Sequence, residues 1–468
     1  MMKERTRSST RNAFVIAAPT SNAGKTTVSL GLMRALSKQG LSLQPFKCGP
    51  DYIDTKFHSL AVVGGVPSYN LDTVMMPRKH VQEVYTTQSS SKDVAIIEGV
   101  MGMYDGAIKN KGSTAEIAKH LEVPIVLVVN GKSVSYSVAP LIQGFVNFDP
   151  NVRIAGVIFN KVSTESHYKL LKEACDDIKI PCFGYLKNLP NAEIPSRHLG
   201  LSIANIDQYD NVIETIATGI EDTVDLDKLL EETRIAVSEE EVASPSILTR
   251  PKHGVKIVAI ARDEAFNFIY QQCIDNLKEG RRKVVFFSPL KDQFIPKGCD
   301  LLYLPGGYPE CYLETLSKNI KMLKSIRQYV NQGGKVYAEC GGFMYLGEII
   351  EDSDSKEYEM VGALPNIKTS MKQRKLHLGY RQVVVADDGG AEETLLGHEF
   401  HYSSLIITTP IEDTTISGMT TIGEITNIRN EKVIKSPLIK YKGILASYNH
   451  FYFGSQEQFE LIEKWITT

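Results

Sequence analysis

Residues 13–32 read AFVIAAPTSNAGKTTVSLGL, which is an apolar strand, a short polar loop ending in Gly-Lys-Thr-Thr, and the opening of an apolar helix. A loop in this position suits phosphate. Backbone N–H groups of the loop and of the helix start can cradle phosphate oxygens, Lys25 adds a compact positive charge, and the Thr26 hydroxyl can ligate Mg²⁺. Asn22, Gly24, Lys25, Thr26 and Thr27 are therefore the expected nucleotide contacts. The glycine that usually opens such a loop is replaced by Ala18 and Pro19, so its start should be stiffer than the standard pattern.

Outward from this stretch the same rhythm continues. VAIIEG at 94–99, IVLVVN at 125–130 and IAGVIFN at 154–160 are short apolar runs separated by helical sequence. Alternation of this kind predicts a doubly wound, mainly parallel sheet. Residues 221–253 change character, acidic at first and then broken by Ser and Pro, and read as a linker with at most one short helix. The alternation restarts with VKIVAIAR at 255–262, KVVFFSPL at 283–290, DLLYLPGG at 300–307 and GKVYAEC at 334–340. The fold class is thus α/β with two domains, each a mainly parallel sheet flanked by helices. The expected boundaries are 1–220 for a P-loop NTPase-like domain, 221–253 for the linker and 254–468 for the second domain.

The bulk properties fit a soluble globular chain: 43% hydrophobic, 23% charged and a formal net charge of -3. That balance gives no electrostatic reason to expect a nucleic-acid partner. No apolar run reaches membrane-spanning length, and the polar start is expected to carry no secretory leader. The seven cysteines are scattered without paired metal spacing, which argues for reduced thiols in a cytoplasmic setting.

Two acidic segments should join the phosphate loop. Glu98 ends the run VAII, where a carboxylate can hold Mg²⁺ or its water. FKCGPDYIDTKFH at 46–58 places Asp51 and Asp54 in a Gly-Pro turn, and Asp105 lies in IIEGVMGMYDG at 96–106. Thr26, Asp51 and Glu98 are the metal candidates, with Asp54 and Asp105 toward substrate, although each acid taken singly is equally a turn former. Asn160 could face an adenine edge.

The second half carries a different chemistry. In GGKVYAECGGFMYLGEII at 333–350 a strand runs into Cys340, followed by two glycines and an apolar helix. This is the pattern of a nucleophile elbow, with a local dipole that favours thiolate. His450, in GILASYNHFYFGS at 443–455, suits a base brought to the thiol by the fold. The turn LPGGYPE at 304–310 offers backbone N–H groups, and Gly307 with Gly341 could form an oxyanion hole.

These motifs closely resemble the cobyrinate a,c-diamide synthase family, which joins a dethiobiotin-synthetase-like ATPase domain to a class I glutamine amidotransferase-like domain. The match runs in order through FKCGPDYID, IEGVMGMYDG, GSTAEIAKHL, RHLGL, ARDEAFNF, FFSPL, LPGGYPE, AECGGFMYL, GHEFHYS and SYNHFYF. The resemblance implies an ATP- and Mg²⁺-dependent ligase of cobalamin biosynthesis. Cys340 would release ammonia from glutamine with His450 as proton carrier, and ammonia would amidate the a and c carboxylates of cobyrinic acid through a phosphorylated intermediate. Free ammonia is mostly protonated in water, so an enclosed passage is expected. Class I amidotransferases carry a glutamate two residues after the histidine, whereas this chain has Tyr452 there. A Cys340 and His450 dyad is the implied machinery.

Corrinoid specificity comes from the resemblance alone. A large anionic substrate should meet basic groups, for which Arg197 and His198 are the candidates, while His398, His401 and Tyr402 of GHEFHYS read as packing or domain-interface residues. The sequence leaves open a homodimer, the choice among nucleoside triphosphates, and the same chemistry on hydrogenobyrinic acid or nickel sirohydrochlorin. A cobyric acid synthase is disfavoured by GPDYID and EGVMGMYDG. A partitioning ATPase switch is disfavoured by Thr20, which stands where such switches carry an extra lysine.

Overall fold

A computed structural model describes residues 10–189, 203–236, 256–279, 282–373, 375–386, 390, 392–407 and 419–467. The chain divides into two compact units, with described residues 10–189 and 205–236 in the first and those from 256 onward in the second.

The first unit is built on one sheet in the order Tyr69–Leu71, Leu43–Cys48, Val94–Glu98, Thr10–Ala17, Ile125–Asn130, Ile154–Val162, Cys182–Lys187, all parallel. The central strands are apolar on both faces because helices cover both. Order reverses around Thr10–Ala17, so the crevice at its carboxyl end is where a doubly wound sheet binds ligands. Helix Lys25–Lys38 starts there and packs on helix Asp210–Thr223. A methyl group at Gly31 would lie 2.8 Å from both Ile216 and Ile220 side chains, so only glycine permits this approach. Arg34 locks the same pair of helices through Asp210 at 2.6 Å and Glu214 at 3.1 Å.

Part of the stretch expected as linker folds onto this unit. Asp225 caps helix Leu226–Glu232 through Lys228 N–H at 2.9 Å, and strand Arg234–Ala236 pairs antiparallel with Thr10–Asn12. The acidic composition that suggests a linker belongs to the solvent side of these elements, whose Leu226 and Leu229 are buried.

The second unit has a sheet in the order Lys283–Phe287, Ile257–Ala261, Leu301–Leu304, Lys335–Glu339, Ile444–Ser447, parallel so far, followed by antiparallel Ile439–Tyr441 and Met419–Thr421. Two further four-stranded sheets appear that apolar runs alone do not announce. One contains the hairpin of His377–Ala386 and Glu392–His401, paired over its whole length and joined by Glu424–Asn427 and Asn449–Phe451.

At the end of this hairpin lies a buried charge network. Arg381 donates to Glu399 at 2.7 Å, His401 lies 3.0 Å from the other Glu399 oxygen, and the His401 ring stacks on Tyr448 at 3.8 Å. The hairpin register brings His377 opposite His401, so His377, Glu399 and His401 could present three ligand atoms to a metal. Arg381 already neutralises Glu399, which opposes a second cation there. Burial would raise the Glu399 carboxyl, but His401 and Arg381 outweigh it and hold the group down to about 2. Burial pushes His398 down to about 3, aided by nearby His450 and Arg381, so His398 is neutral in the folded state.

Unfolding releases both groups to their ordinary values of 6.5 and 4.5. The unfolded chain then binds more protons across this range, so stability falls as pH drops below about 6.5 for His398 and below about 4.5 for Glu399. Thermal melting of the protein should therefore decline steadily between pH 7 and 4, and His398→Gln should flatten the upper part of that decline; an unchanged slope in the variant contradicts the assignment.

Candidate active site

Each unit places one reactive cluster at the carboxyl ends of its parallel strands. In the first, Gly24 caps the helix start at φ 96°, a left-handed conformation that glycine adopts without strain. A Cβ there would fall 1.9 Å from the Asn160 side-chain nitrogen. Asn160 supports the loop from behind: its amide donates to the Ala23 carbonyl at 3.0 Å and its oxygen accepts from Lys161 N–H at 2.9 Å. The adenine contact expected of it competes with these bonds. Asn22 is exposed at φ 62°, and Thr27 is half-buried on the first helical turn. The Lys25 ammonium donates to the Met101 carbonyl.

Thr26 and Glu98, far apart in sequence, are joined by a 2.6 Å hydrogen bond. Glu98 is fully buried and also meets Lys47 at 2.8 Å and His58 at 2.8 Å. Burial would raise its carboxyl, but Lys47 and His58 together hold it below the usual range. Lys47 reaches Asp54 at 2.6 Å from its other side. Asp54 is thus bound into the site through Lys47, while one oxygen of Asp51 accepts the N–H groups of Ile53 and Asp54 at 2.9 and 3.0 Å and closes the turn that leads into helix Asp54–Ala61. Asp105 is exposed and closes its own turn onto Gly102 N–H at 3.1 Å; that turn packs on the phosphate loop through Met103 N–H and the Ala18 carbonyl. Arg197 and His198 lie outside the described residues.

The Thr26 hydroxyl and the Glu98 carboxylate are hard oxygen donors of the kind Mg²⁺ takes, although Lys47 and His58 already engage Glu98, so a metal there would compete with both. Lys47 and His58 are additions that motif reading missed. The available signal was a lysine one residue before the end of the otherwise uncharged strand Leu43–Cys48, close to the Gly-Pro-Asp turn.

In the second unit Cys340 has φ 44° and ψ -106°, a strained conformation for a residue with a side chain. Its N–H is held by the Ser447 carbonyl at 2.8 Å, and the Met344 N–H returns to its own carbonyl as helix Gly341–Leu346 begins. A Cβ on Gly342 would sit 2.0 Å from the Leu304 carbonyl, and one on Gly341 would sit 3.2 Å from Gly307 N. Both glycines are steric requirements of the sharp turn. Gly307 has φ 155° and meets the Ala265 carbonyl, while Gly306 faces the His450 ring, where a Cβ would stand 2.1 Å from Cε1. The fold therefore brings Cys340, Gly341, the Gly306–Gly307 turn and His450 to one point.

Cys340 and His450 are 2% and 1% exposed, so both reactive groups are buried. Burial, followed by the carboxylates of Glu310, Glu339 and Glu399, pushes the Cys340 thiol well above its ordinary value and outweighs the Gly341 N–H that opposes them. This opposes the thiolate that the local dipole favours. Burial also raises the Glu310 carboxyl to about 7.

Comparisons with known proteins agree with this two-part arrangement. Residues 14–201 match the family described as the CobQ/CobB/MinD/ParA nucleotide binding domain, and residues 257–458 the CobB/CobQ-like glutamine amidotransferase domain. A cobyrinate a,c-diamide synthase of Salmonella typhimurium is 38% identical over 476 residues, covering 97% of each chain. One from Caldanaerobacter subterraneus is 40% identical, covering 84% of this chain and 86% of its own. A hydrogenobyrinate a,c-diamide synthase from Sinorhizobium sp. is 36% identical, covering 84% and 90%. With both reactive clusters intact and relatives matching along nearly its whole length, this chain belongs to the cobyrinate a,c-diamide synthase family.

Proposed function

We propose that this protein moves the amide nitrogen of glutamine onto the a and c carboxylates of cobyrinic acid, with one ATP consumed for each amide, in the cytoplasm. The observation that carries the reading is that one chain holds both a phosphate loop whose threonine meets a buried glutamate and a strained cysteine whose turn faces a buried histidine.

At the thiol site Sγ attacks the glutamine carboxamide carbon while its proton passes to His450. N–H groups of Gly307 and Gly341 stabilise the oxyanion, His450 protonates the departing ammonia, and water releases glutamate from the thioester. Because the resting thiol is neutral, proton transfer and attack are coupled. At the nucleotide site a carboxylate oxygen of the substrate takes the γ-phosphoryl group, and ammonia then displaces phosphate to leave the amide. Lys25 neutralises phosphate charge, the loop N–H groups orient it, and Asn160 keeps the loop rigid. Thr26, Asp51 and Glu98 would hold Mg²⁺, which supplies charge neutralisation on the transferring phosphate. Asp54 and Asp105 line the approach for substrate. Arg197 and His198 remain the basic candidates for its carboxylates.

The Sinorhizobium relative motivates a second reading, the same amidations on hydrogenobyrinic acid. Purified protein with ATP, Mg²⁺ and glutamine should release phosphate and glutamate faster when cobyrinic acid is added. Stimulation by hydrogenobyrinic acid alone would move the substrate, and stimulation by neither would contradict the proposal.

Two variants separate the half-reactions. Cys340→Ala should lose glutamine-dependent amidation by about 1,000-fold or more, yet keep amidation from added ammonium chloride. Gly24→Ala must push Asn160 aside and should slow ATP-dependent amidation on the order of 100-fold, while leaving basal glutamine hydrolysis within about threefold.

A further inference from the structure

The proton carrier of the thiol site lacks, two residues downstream, the carboxylate that orients the equivalent histidine in class I amidotransferases, since Tyr452 occupies that place and a phenol brings no carboxylate. The structure supplies one from another direction. Glu339, the residue immediately before the nucleophile, is 2% exposed, and its Oε2 lies 3.7 Å from His450 Nδ1. Its Oε1 accepts the N–H of Phe451, the residue after the histidine, at 2.9 Å. Tyr303 donates to Oε2 at 2.7 Å and Tyr337 to Oε1 at 2.5 Å, which fixes the carboxylate plane. A buried carboxylate held by three donors, with an imidazole at ion-pair distance and the nucleophile next in sequence, is a costly arrangement for packing alone.

We propose that Glu339 is the positioning carboxylate of the thiol site, fixing the ring of His450 and stabilising its protonated form from the strand that delivers Cys340. The proposal rests on the reading that Cys340 and His450 hydrolyse glutamine. Its geometry reverses the usual order: the acid comes before the cysteine in the chain rather than after the histidine. The 3.7 Å separation is ion-pair distance rather than a hydrogen bond, and the proposal requires it to shorten as the imidazole takes the thiol proton. The strand Lys335–Glu339 thereby ends in the acid and hands over directly to the nucleophile, while strand Asn449–Phe451 presents the histidine to the acid.

Other groups face His450 as well. His398 stands opposite it across the strand pair but is held neutral by burial, Cys340 is the proton donor, Glu310 acts on the thiol, and Glu399, opposite Asn449 on the same strand pair, is held by Arg381 and His401. Glu339 Oε2, 3.7 Å from Nδ1, is the carboxylate oxygen at ion-pair distance from the ring.

The test uses the full-length protein. Glu339→Gln should lower kcat for glutamine hydrolysis by at least about tenfold, with KM for glutamine within about threefold. It should also move the acid limb of the kcat/KM profile down by about one pH unit, because the imidazolium loses its counter-charge. Amidation from added ammonium chloride should remain. The same substitution placed in a His450→Ala background should have little further effect. A Glu339→Gln protein with normal kcat and an unmoved acid limb overturns the proposal, provided that His450→Ala is inactive with glutamine. Activity of His450→Ala with glutamine would instead overturn the underlying site reading. If Glu339→Gln fails to fold, Tyr303→Phe releases Oε2 toward His450 and should move the acid limb upward, and an unmoved limb counts against the proposal.

Discussion

The nucleotide half depends on a lysine with no access to water. Lys47 lies between Asp54 and Glu98, and Glu98 in turn holds Thr26 and His58. A buried ammonium is tolerable only when paired, and removing one partner of such a set typically destabilises by about 3–5 kcal/mol. The charges therefore fix one another, and with them the relative placement of three segments: the helix start at Thr26, the Gly-Pro-Asp turn and the end of strand Val94–Glu98. This is the arrangement phosphoryl transfer requires, because the groups are in place before substrate arrives. A cluster of this kind spans more than 70 residues of sequence yet occupies the end of a single sheet.

The thiol half rests on a different constraint, backbone strain. A residue with a side chain at φ 44° is held there by the Ser447 carbonyl, by helix packing against Leu304, and by the absence of side chains at Gly341 and Gly342. In this conformation Sγ lies 3.7 Å from the Phe400 carbonyl. Burial and three carboxylates keep the thiol neutral at rest, so the site withholds its nucleophile until a proton acceptor is engaged.

Much of this was legible in the sequence, and for identifiable reasons. Parallel strands buried on both faces appear as continuous apolar runs, so VAIIE, IVLVVN and KVYAE could be placed by inspection. Gly24, Lys25, Thr26, Cys340 and Gly341 are legible because their chemistry is local to one strand-turn-helix unit. Long-range pairing is not. Lys47 and His58 enter the nucleotide cluster only because strand Leu43–Cys48 lies beside Val94–Glu98 in the sheet. Glu339 looks like a strand residue until Tyr303, Tyr337 and Phe451 converge on it. The hairpin of His377–Ala386 and Glu392–His401 has alternating burial with polar residues on its open face, a weaker signal than an apolar run. The acidic start of 221–253 suggested a linker because net charge says nothing of the leucines that face inward.

The central claim is that two reactions in one chain meet in a single product. Glutamine labelled with ¹⁵N in its amide position, supplied with ATP, Mg²⁺ and cobyrinic acid, gives the most direct measurement when product mass and ADP are read together. The account predicts a product carrying two ¹⁵N amides and two ADP per molecule. Labelled ammonia accumulating with no labelled corrinoid, or a corrinoid gaining amide without ADP, would contradict it.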